Sequence, residues 1–346
     1  MGKAEETVTS NEFYSRQTVL KELGAKGQKT LAKSRVAIVG LGGLGTVSSL
    51  YLALAGVGHI RLIDQDVVEQ RNLHRQILYT PENLGYPKVE IAAKRLKKRN
   101  PLITVEPIPE NLNAANAERL LSRMDCVVDG LDNMKTRYAV NRACAKLHIP
   151  YVFGAAIGIE GNLSVFSPPE TPCLECVFPA VDDSKLLTCG TRGVLGATPG
   201  VIGAMQAIET IKTLTRMNSP LKGKLLICDF SDMYFATVDV SKRRNCPACK
   251  GATVASEKGE KLVWLCGQDT ANINPAEPLD LTLNQAYHAI ERQFRVRMKS
   301  QLAIMFDYDG IKISLFRGGR MLIRNVHDEK TAKRVYMDVM EKLGAS

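Results

Sequence analysis

The sequence lacks any uninterrupted apolar run of roughly 18 residues, the length that a helix needs to cross a bilayer. Its first residues, MGKAEETVTSNEF, are polar and acidic and do not resemble a signal peptide. It also lacks internal repeats and low-complexity segments. We therefore expect a soluble, cytoplasmic protein that has no membrane partner.

Cysteine usage and charge narrow the class of protein further. Four of the nine cysteines form two Cys-x-x-Cys pairs. In a protein without a secretion signal, this pattern indicates metal ligation and thiol chemistry in a reducing compartment, not a disulfide framework. The net charge of +10 suits an acidic macromolecular partner. The most basic run, KRLKKR at 94–99, is typical of the solvated face of an amphipathic helix, so a nucleic-acid partner is not expected.

The order of the predicted elements indicates an α/β fold. An amphipathic helical lead over 11–32 precedes a short apolar strand, Arg35–Val39, that runs into glycines. Strands and helices then alternate, which is typical of a doubly wound, Rossmann-like, mostly parallel sheet. The predicted helices cover 44–55, 88–98, 133–147 and 193–211, and the predicted strands cover 59–63, 103–106, 126–128 and 151–155. We assign residues 1–253 to this domain.

A second domain is predicted near the C-terminus. Residues 254–261 are small, polar and turn-forming, as expected of a linker. Residues 262–346 predict a small α+β domain with strands at 262–265 and between 302 and 325, and helices at 282–292 and 330–343. A partner-docking role is suggested only by analogy with the family that this sequence resembles, named below, and a stabilising or dimerisation role is the alternative. The arginines considered for either role are Arg292, Arg295, Arg297 and Arg317.

A glycine-rich turn directly follows the first predicted strand and opens a helix. Its glycines are Gly40, Gly42, Gly43 and Gly45. Glycines at such a turn let backbone amides approach a phosphate at a helix N-terminus. The second strand ends in Asp64, where a carboxylate can accept hydrogen bonds from ribose hydroxyls. The sequence therefore predicts a nucleotide site here.

The residues after Asp64 bear on which nucleotide binds. An NAD-dependent oxidoreductase is the alternative, since it is a common owner of this glycine pattern. The following loops, however, carry a set of polar and charged residues that hydride transfer does not need: Asp66, Asn72, Arg75, Gln76 and Lys88. Attack of a carboxylate on the α-phosphate of ATP does need cations around the developing charge and the departing pyrophosphate.

Several longer motifs resemble the E1-like superfamily, which includes MoeB, ThiF and the ubiquitin-activating enzymes. They are YSRQ at 14–17, SRVAIVGLGGLG at 34–45, IDQDVVEQRNLHRQ at 63–76, GYPKVE at 85–90 and DGLDN at 129–133. The resemblance runs from about Tyr14 to Lys250. It implies that ATP is a substrate, that Asp64 binds its ribose, that Asn72 and Arg75 hold its phosphates, and that Lys88 stabilises the pentavalent phosphate.

The same resemblance assigns three further residues. It implies that Asp132 coordinates Mg²⁺ and that Asn133 lies beside the nucleotide. Asp132 also follows the strand-like CVVDGL, at the sheet edge where α/β folds bind ligands, and an oxygen ligand there suits Mg²⁺. Arg16 matches a family residue that reaches the ATP phosphates in the other protomer, so a homodimer is expected.

The two Cys-x-x-Cys pairs are Cys173 with Cys176 and Cys246 with Cys249. Tetrahedral Zn²⁺ takes four thiolates from two such knuckles, and a closed Cys₄ shell leaves no position for water or substrate. We therefore predict a structural zinc site that joins two distant parts of the domain. A redox-active Cys-x-x-Cys is the alternative.

Cys189, in the polar stretch LLTCGTRGVLG, is a candidate exposed thiol. In relatives with thiol chemistry, the cysteine here accepts the adenylated partner as a thioester or joins a persulfide transfer, and Arg192 could favour its thiolate. Adenylation without covalent use of Cys189 is the alternative. Cys126, Cys144 and Cys228 lie in apolar runs and are predicted to be core thiols.

The leading hypothesis is ATP-dependent adenylation of the C-terminal glycine of a ubiquitin-like protein ending in Gly-Gly, then thioester formation on Cys189 and transfer to an E2-like conjugating enzyme. The alternative is a MoeB- or ThiF-like adenylyltransferase for a sulfur carrier in molybdopterin, thiamin or tRNA thiolation. Nothing in 255–346 resembles the rhodanese loop of eukaryotic sulfur-transferring relatives. A non-catalytic scaffold is disfavoured because every expected phosphate-handling residue is present.

Overall fold

The computed structural model describes residues 8–186, 190–251, 262–264, 269–275, 279 and 282–344. Cys189 and the predicted linker at 254–261 lie outside these residues. The described residues form an eight-stranded and a six-stranded sheet. The predicted α/β fold with an additional small α+β unit is thereby confirmed.

The N-terminal lead is three short helices and not one. They are α1 (Ser10–Phe13), α2 (Ser15–Thr18) and α3 (Gly24–Lys33). Gly24 adopts a φ of +59°, a left-handed conformation that glycine tolerates and that interrupts a right-handed helix. The predicted helical lead over 11–32 is therefore present, but it is divided into three helices, and helical periodicity alone does not reveal where the backbone breaks.

The first sheet is built mainly from strands that were predicted. Its strands are β1 (Arg35–Val39), β2 (His59–Ile63), β3 (Thr104–Ile108), β4 (Cys126–Asp129), β5 (Tyr151–Ile157), β6 (Glu160–Phe166), β7 (Lys224–Asp229) and β8 (Tyr234–Asp239). They lie in the order β3-β2-β1-β4-β5-β6-β7-β8. The first five pair in parallel, and β5 to β8 pair antiparallel.

The strand order reverses between β1 and β4. β1 pairs with β2 on one side and with β4 on the other, so the chain winds outward in opposite directions from this point. In open α/β sheets, ligands bind beyond the carboxyl ends of the strands at such a switch point. The fold therefore places the ends of β1 and β4, which carry the glycine turn and the DGLDN motif, at one crevice.

Helices cover both faces of this sheet. They are α4 (Gly43–Ala55), α5 (Lys88–Arg99), α6 (Ala117–Leu121), α7 (Met134–Leu147), α8 (Leu174–Val177) and α9 (Ala197–Thr215). One apolar core contains residues of α4, α5 and α9, and the other contains residues of α6 and α7. The central strands of the sheet are thus buried on both faces. This explains why the sequence of β1 is uniformly apolar after Arg35.

The second sheet is antiparallel. Its strands are β9 (Leu262–Trp264), β10 (Thr270–Ile273), β11 (Arg295–Lys299), β12 (Ala303–Tyr308), β13 (Ile311–Phe316) and β14 (Met321–Arg324), in the order β11-β12-β13-β14-β10-β9. Two helices accompany it, α10 (Leu283–Ile290) and α11 (Glu329–Lys342). The three strands between 302 and 325 and both helices were predicted. β10 and β11 were missed.

The two faces of the second sheet have different partners. Ile304, Phe306, Ile313 and Ile323 belong to the apolar core that includes α10 and α11. The opposite face contributes a small buried cluster, Ala303, Phe316 and Leu322, that packs on Val67 of the first unit. This second sheet is therefore docked on the loop that follows β2. None of the helices in the described part of the chain combines the length and apolarity needed to cross a membrane.

The close packing of glycines in the glycine turn leads to a prediction about the stability of the protein. A Cβ on Gly45 would lie 1.9 Å from the carbonyl oxygen of Gly40, which is a backbone atom that cannot move aside. We expect Gly45→Ala to lower the free energy of unfolding by roughly 3 kcal/mol. Gly200→Ala is the matched control in α9, because a Cβ added there would have no neighbour within 4 Å. It should be neutral or stabilising by up to ~1 kcal/mol.

Thermal unfolding of both variants, followed by circular dichroism, measures the difference. A Gly45→Ala protein as stable as Gly200→Ala would contradict the proposed packing of the turn.

Candidate functional site

The glycine turn lies between β1 and the N-terminus of α4. Gly40 has a φ of +90°, and a Cβ there would lie 2.5 Å from the carbonyl oxygen of Gly130. α4 begins at Gly43, so its first backbone N–H groups lack intrahelical acceptors. The turn therefore presents amide donors at the positive end of a helix dipole, an arrangement that binds phosphate.

Asp64 lies directly after β2 and closes one side of the turn. Its carboxylate accepts hydrogen bonds from the backbone N–H of Leu41 at 2.6 Å and of Asp66 at 2.7 Å. Burial raises the pKa of Asp64, whereas the Lys88 cation opposes that shift. The glycine turn and the ribose acid predicted from sequence are thus in direct contact, through the Leu41 amide.

Lys88 is the buried cation of the site. Only 4% of its surface is exposed, and its Nζ lies 2.9 Å from a carboxylate oxygen of Asp66. Burial disfavours the charged ammonium, but the nearby Asp66 and Asp64 carboxylates outweigh this and raise the pKa of Lys88 above its ordinary value. Lys88 is therefore a fixed positive charge at neutral pH.

A short 3₁₀ helix, Gln70–Asn72, ends in Asn72, and Arg75 and Gln76 come shortly after it in the chain. Arg75 Nη2 donates to Asn72 Oδ1 at 2.8 Å. Gln76 is 3% exposed, and its Oε1 has no hydrogen-bond partner among the described residues. A Cβ added to Gly42 would lie 3.8 Å from Gln76 Nε2, so this side chain borders the glycine turn. Gln76 therefore borders the glycine turn, and the backbone carbonyl oxygen of Arg75 lies 3.6 Å from the place of a Cβ on Gly43.

Asp132 and Asn133 lie beyond the end of β4. Asp132 is exposed, and its Oδ1 accepts a hydrogen bond from Asn133 Nδ2 at 3.3 Å. Asn133 is the N-cap of α7, because its Oδ1 accepts from the backbone N–H of Thr136 at 2.8 Å. The capping contact fixes the end of the loop that carries Asp132.

A buried ion pair that sequence reasoning missed supports this loop. Asp129 is fully buried and accepts from Arg137 Nε at 3.0 Å and from the hydroxyl of Tyr151 at 2.6 Å. Arg137 Nη2 donates to the carbonyl oxygens of Leu131 and Gly154. The sequence feature that could have predicted this ion pair is Asp129 itself, an acidic residue at the end of an otherwise apolar strand. A buried carboxylate needs a partner. Asp129 and Arg137 hold the path of the Asp132 loop.

Arg16 is not brought to this crevice. It is exposed on α2, next to Gln17, whose side chain donates to the carbonyl oxygen of Ala55 at the C-terminal end of α4. The glycine turn is at the other end of that helix, roughly 18 Å away at 1.5 Å per residue. Within one chain, Arg16 and the glycine turn therefore lie at opposite ends of α4.

The four knuckle cysteines do come together. The Sγ atoms of Cys173, Cys176, Cys246 and Cys249 lie within 4.8 Å of one another. Three of the sulfur–sulfur distances are 3.5, 3.6 and 3.9 Å. A tetrahedral ion with metal–sulfur bonds of about 2.3 Å separates its sulfurs by about 3.8 Å. This cluster could hold a metal, and it joins the segment after β6 to the segment after β8.

Cys126, Cys144 and Cys228 are buried, as predicted. Cys189 lies outside the described residues. Arg192, expected to favour its thiolate, has its guanidinium on the carboxylate of Glu160, with Nη2 2.5 Å from Oε1. That cation is therefore already neutralised by a carboxylate.

Comparison with known proteins places the chain in a family. Residues 14–248 match the ThiF family. Among curated relatives, the adenylyltransferase and sulfurtransferase MOCS3 of Culex quinquefasciatus is 45% identical over 238 residues, 68% of this chain and 54% of that protein. The sulfur carrier protein adenylyltransferase of Thermus thermophilus is 41% identical over 242 residues, 68% of this chain and 89% of that protein. The chain thus spans about half of the Culex protein and most of the Thermus one.

Solved structures resemble the fold of the same region. A crystal structure of E. coli MccB with ATP has a TM-score of 0.62 and 26% identity, covering 70% of this chain and 75% of that one. A structure of MccB with AMPCPP and MccA has a TM-score of 0.63 and 25% identity, with 70% and 75% coverage.

The cysteine cluster yields a metal prediction. We expect one metal ion per chain in the purified protein, and Cys246→Ser should abolish metal binding because it removes a fully buried ligand. The unfolding midpoint should fall by roughly 10 °C, since two distant segments lose their cross-link.

Elemental analysis by mass spectrometry and thermal unfolding provide the measurements. Cys144→Ser is the control, because it changes a buried thiol outside the cluster and should keep the metal. Full metal content in Cys246→Ser would contradict the assignment.

Proposed function

This chain belongs to the ThiF family, and on that premise we propose that it adenylates the C-terminal carboxylate of a small sulfur-carrier protein with ATP. The observation that carries the proposal is the ion pair between the buried Lys88 and the part-exposed Asp66, beside Asp64 and the glycine turn, at the switch point of the sheet. A nucleotide fits there because the turn offers amide donors and Asp64 offers a carboxylate for ribose.

The proposed reaction depends on charge stabilisation and substrate positioning more than on proton transfer. A C-terminal carboxylate is already ionised at neutral pH, so no general base is required. Its attack on the α-phosphate gathers negative charge and releases pyrophosphate, which fixed cations stabilise. In our proposal Lys88 faces the α-phosphate, and Asn72 and Arg75 hold the phosphates. The hydrogen bond between Asn72 and Arg75 orients the guanidinium for this task.

Asp132 is the proposed Mg²⁺ ligand, with Asn133 beside the nucleotide. The exposed carboxylate at the end of β4 suits a hard cation that retains several waters. Bound Mg²⁺ would neutralise phosphate charge. The Asp129–Arg137 pair is proposed to keep this loop in place.

Of the two activities expected from sequence, the names of the relatives favour the sulfur-carrier one. Both MOCS3 and the Thermus protein are named adenylyltransferases, and the latter is named for a sulfur carrier protein. Activation of a ubiquitin-like modifier through a thioester on Cys189, followed by transfer to an E2-like enzyme, has no equivalent support. We therefore place the sulfur carrier first and treat the thioester as an outcome of the test.

Zinc is the proposed occupant of the cysteine cluster. Four thiolates with this spacing are the ligand set that structural Zn²⁺ prefers, and Cys173 and Cys246 are fully buried. Its role would be to join two segments, with no part in the reaction.

ATP–pyrophosphate exchange tests the activity. Purified protein is mixed with a panel of sulfur carriers and ubiquitin-like proteins that end in Gly-Gly. We expect exchange with a sulfur carrier, and Asp132→Asn should lower it at least ~100-fold because the metal loses its carboxylate ligand. Asp232→Asn is the matched control, an exposed aspartate between β7 and β8, and should retain full activity.

The outcomes separate the candidate activities. Exchange that persists in Cys189→Ala, with no reducible adduct on a non-reducing gel, supports the sulfur-carrier proposal. An adduct that disappears in Cys189→Ala would instead indicate an E1-type thioester. Absence of exchange with every partner, and no effect of Asp132→Asn on ATP binding, would overturn adenylation.

Arg16 is proposed to act on the phosphates of a second protomer in a homodimer. Its position at the opposite end of α4 from the glycine turn supports action between chains. Arg16→Ala and Asp132→Asn should each be inactive alone. Mixed after dissociation and reassembly, they should recover about a quarter of wild-type exchange, because half the dimers would be mixed and each would contain one intact site.

Exchange rates of the mixture, compared with those of each variant alone, provide the measurement. A mixture as inactive as its components, although gel filtration demonstrates dimers, would argue against a shared site.

A further inference from the structure

Arg320 is a buried arginine of the C-terminal unit that no motif identifies. It lies directly before β14 and is 7% exposed. Its Nη1 donates to the backbone carbonyl oxygen of Gln65 at 3.1 Å and to Asn272 Oδ1 at 3.1 Å. The guanidinium carbon lies 3.6 Å from the centre of the Phe316 ring. Its Nη2 has no hydrogen-bond partner among the described residues.

The residue that Arg320 contacts, Gln65, stands between the two acidic residues of the nucleotide site. Asp64 precedes it and contacts the glycine turn, and Asp66 follows it and pairs with Lys88. The Gln65 side chain is held as well, because its Oε1 accepts from Asn272 Nδ2 at 3.2 Å. The C-terminal sheet therefore holds this one residue by its backbone and its side chain.

Electrostatics links the same groups. Burial lowers the pKa of Arg320 to about 10, and the carboxylates of Asp66 and Asp64 oppose that shift. Arg320 consequently stays charged at neutral pH. A buried cation is costly unless carboxylates or oriented carbonyls compensate it. Here the carboxylates of Asp66, Asp64 and Glu110, all from the first unit, act on the buried Arg320 cation of the C-terminal unit.

We infer that Arg320 is a positioning residue for the nucleotide site: by holding Gln65, it fixes the orientation of Asp64 towards the nucleotide and of Asp66 towards Lys88. The inference rests on the proposed function. It makes the C-terminal unit a structural part of the ATP-binding machinery. Arg320 acts through Gln65 and touches no reacting atom in this scheme.

The expected signature is a change in ATP binding more than in chemistry. A ribose-binding carboxylate serves the ground state and the transition state alike, so its displacement raises KM with little change in kcat. We expect Arg320→Met to raise the KM for ATP roughly tenfold, the effect of losing a charge-assisted hydrogen bond. Arg320→Lys should recover part of the loss, because an ammonium can donate to Gln65 and Asn272 but cannot stack flat on Phe316.

The control is Arg334→Met, an exposed arginine on α11 of the same unit. It should leave KM, kcat and the unfolding midpoint unchanged. ATP–pyrophosphate exchange gives the kinetic constants, and calorimetric titration with ATP gives the dissociation constant without a carrier protein. A folded Arg320→Met protein with wild-type KM and dissociation constant would overturn the inference.

Two further measurements keep the result interpretable. If Arg320→Met does not fold, Asn272→Ala is the second variant, because it removes one acceptor of Arg320 and one donor to Gln65. It should raise the ATP dissociation constant by a smaller factor. An unchanged dissociation constant would overturn the inference. If wild-type protein binds ATP but exchanges with no carrier, the proposed function fails, whereas the titration still decides the role of Arg320.

Discussion

The ion pair between the buried Lys88 and the part-exposed Asp66 is the interaction on which the arrangement of the site depends. A nearly inaccessible ammonium is stable only beside a carboxylate, and here the partner oxygen lies 2.9 Å away. The pair ties the first residue of α5 to the loop after β2. Asp64 is two residues from Asp66 and bonds to the glycine turn, so the turn, the loop and α5 are constrained together.

This constraint extends into the C-terminal unit. The loop after β2 contributes Val67 to the small apolar cluster with Ala303, Phe316 and Leu322, and Gln65 receives the hydrogen bond of Arg320. Glu90, in the first turn of α5, accepts from the backbone N–H groups of Gln301 and Leu302. The second sheet thus contacts both elements that form the ion pair, by apolar packing and by hydrogen bonds.

Much of this could be predicted from sequence because periodicity and motifs are local properties. The apolar strand Arg35–Val39, the glycine turn and the two cysteine knuckles were all identified, and the knuckles do meet in space. β10, with sequence TANI, was missed because four fully buried residues without alternation carry no strand signal. The division of the 11–32 lead into three helices was not specified, because an isolated glycine such as Gly24 does not reveal its φ.

The least predictable residue was Arg320, and the reason is physical. It follows Arg317, Gly318 and Gly319, a sequence typical of an exposed hairpin turn, and of these arginines only Arg317 was assigned a candidate role, in docking or dimerisation. Burial of an arginine depends on acceptors contributed by distant segments, here Gln65 and Asn272, which local pattern does not encode.

The same packing narrows where a partner of the C-terminal unit can bind. One face of its sheet is covered by α10 and α11, and part of the other is covered by the loop after β2. A docking role on the second sheet would therefore have to use its edge strands, the uncovered part of its second face or the outer surfaces of α10 and α11. Arg295 and Arg297, considered for docking from sequence, belong to the edge strand β11, whereas Arg320 lies on the face that contacts the loop after β2. Docking through β11 and the proposed positioning of the nucleotide site by Arg320 would thus use separate surfaces of the unit, so one does not exclude the other.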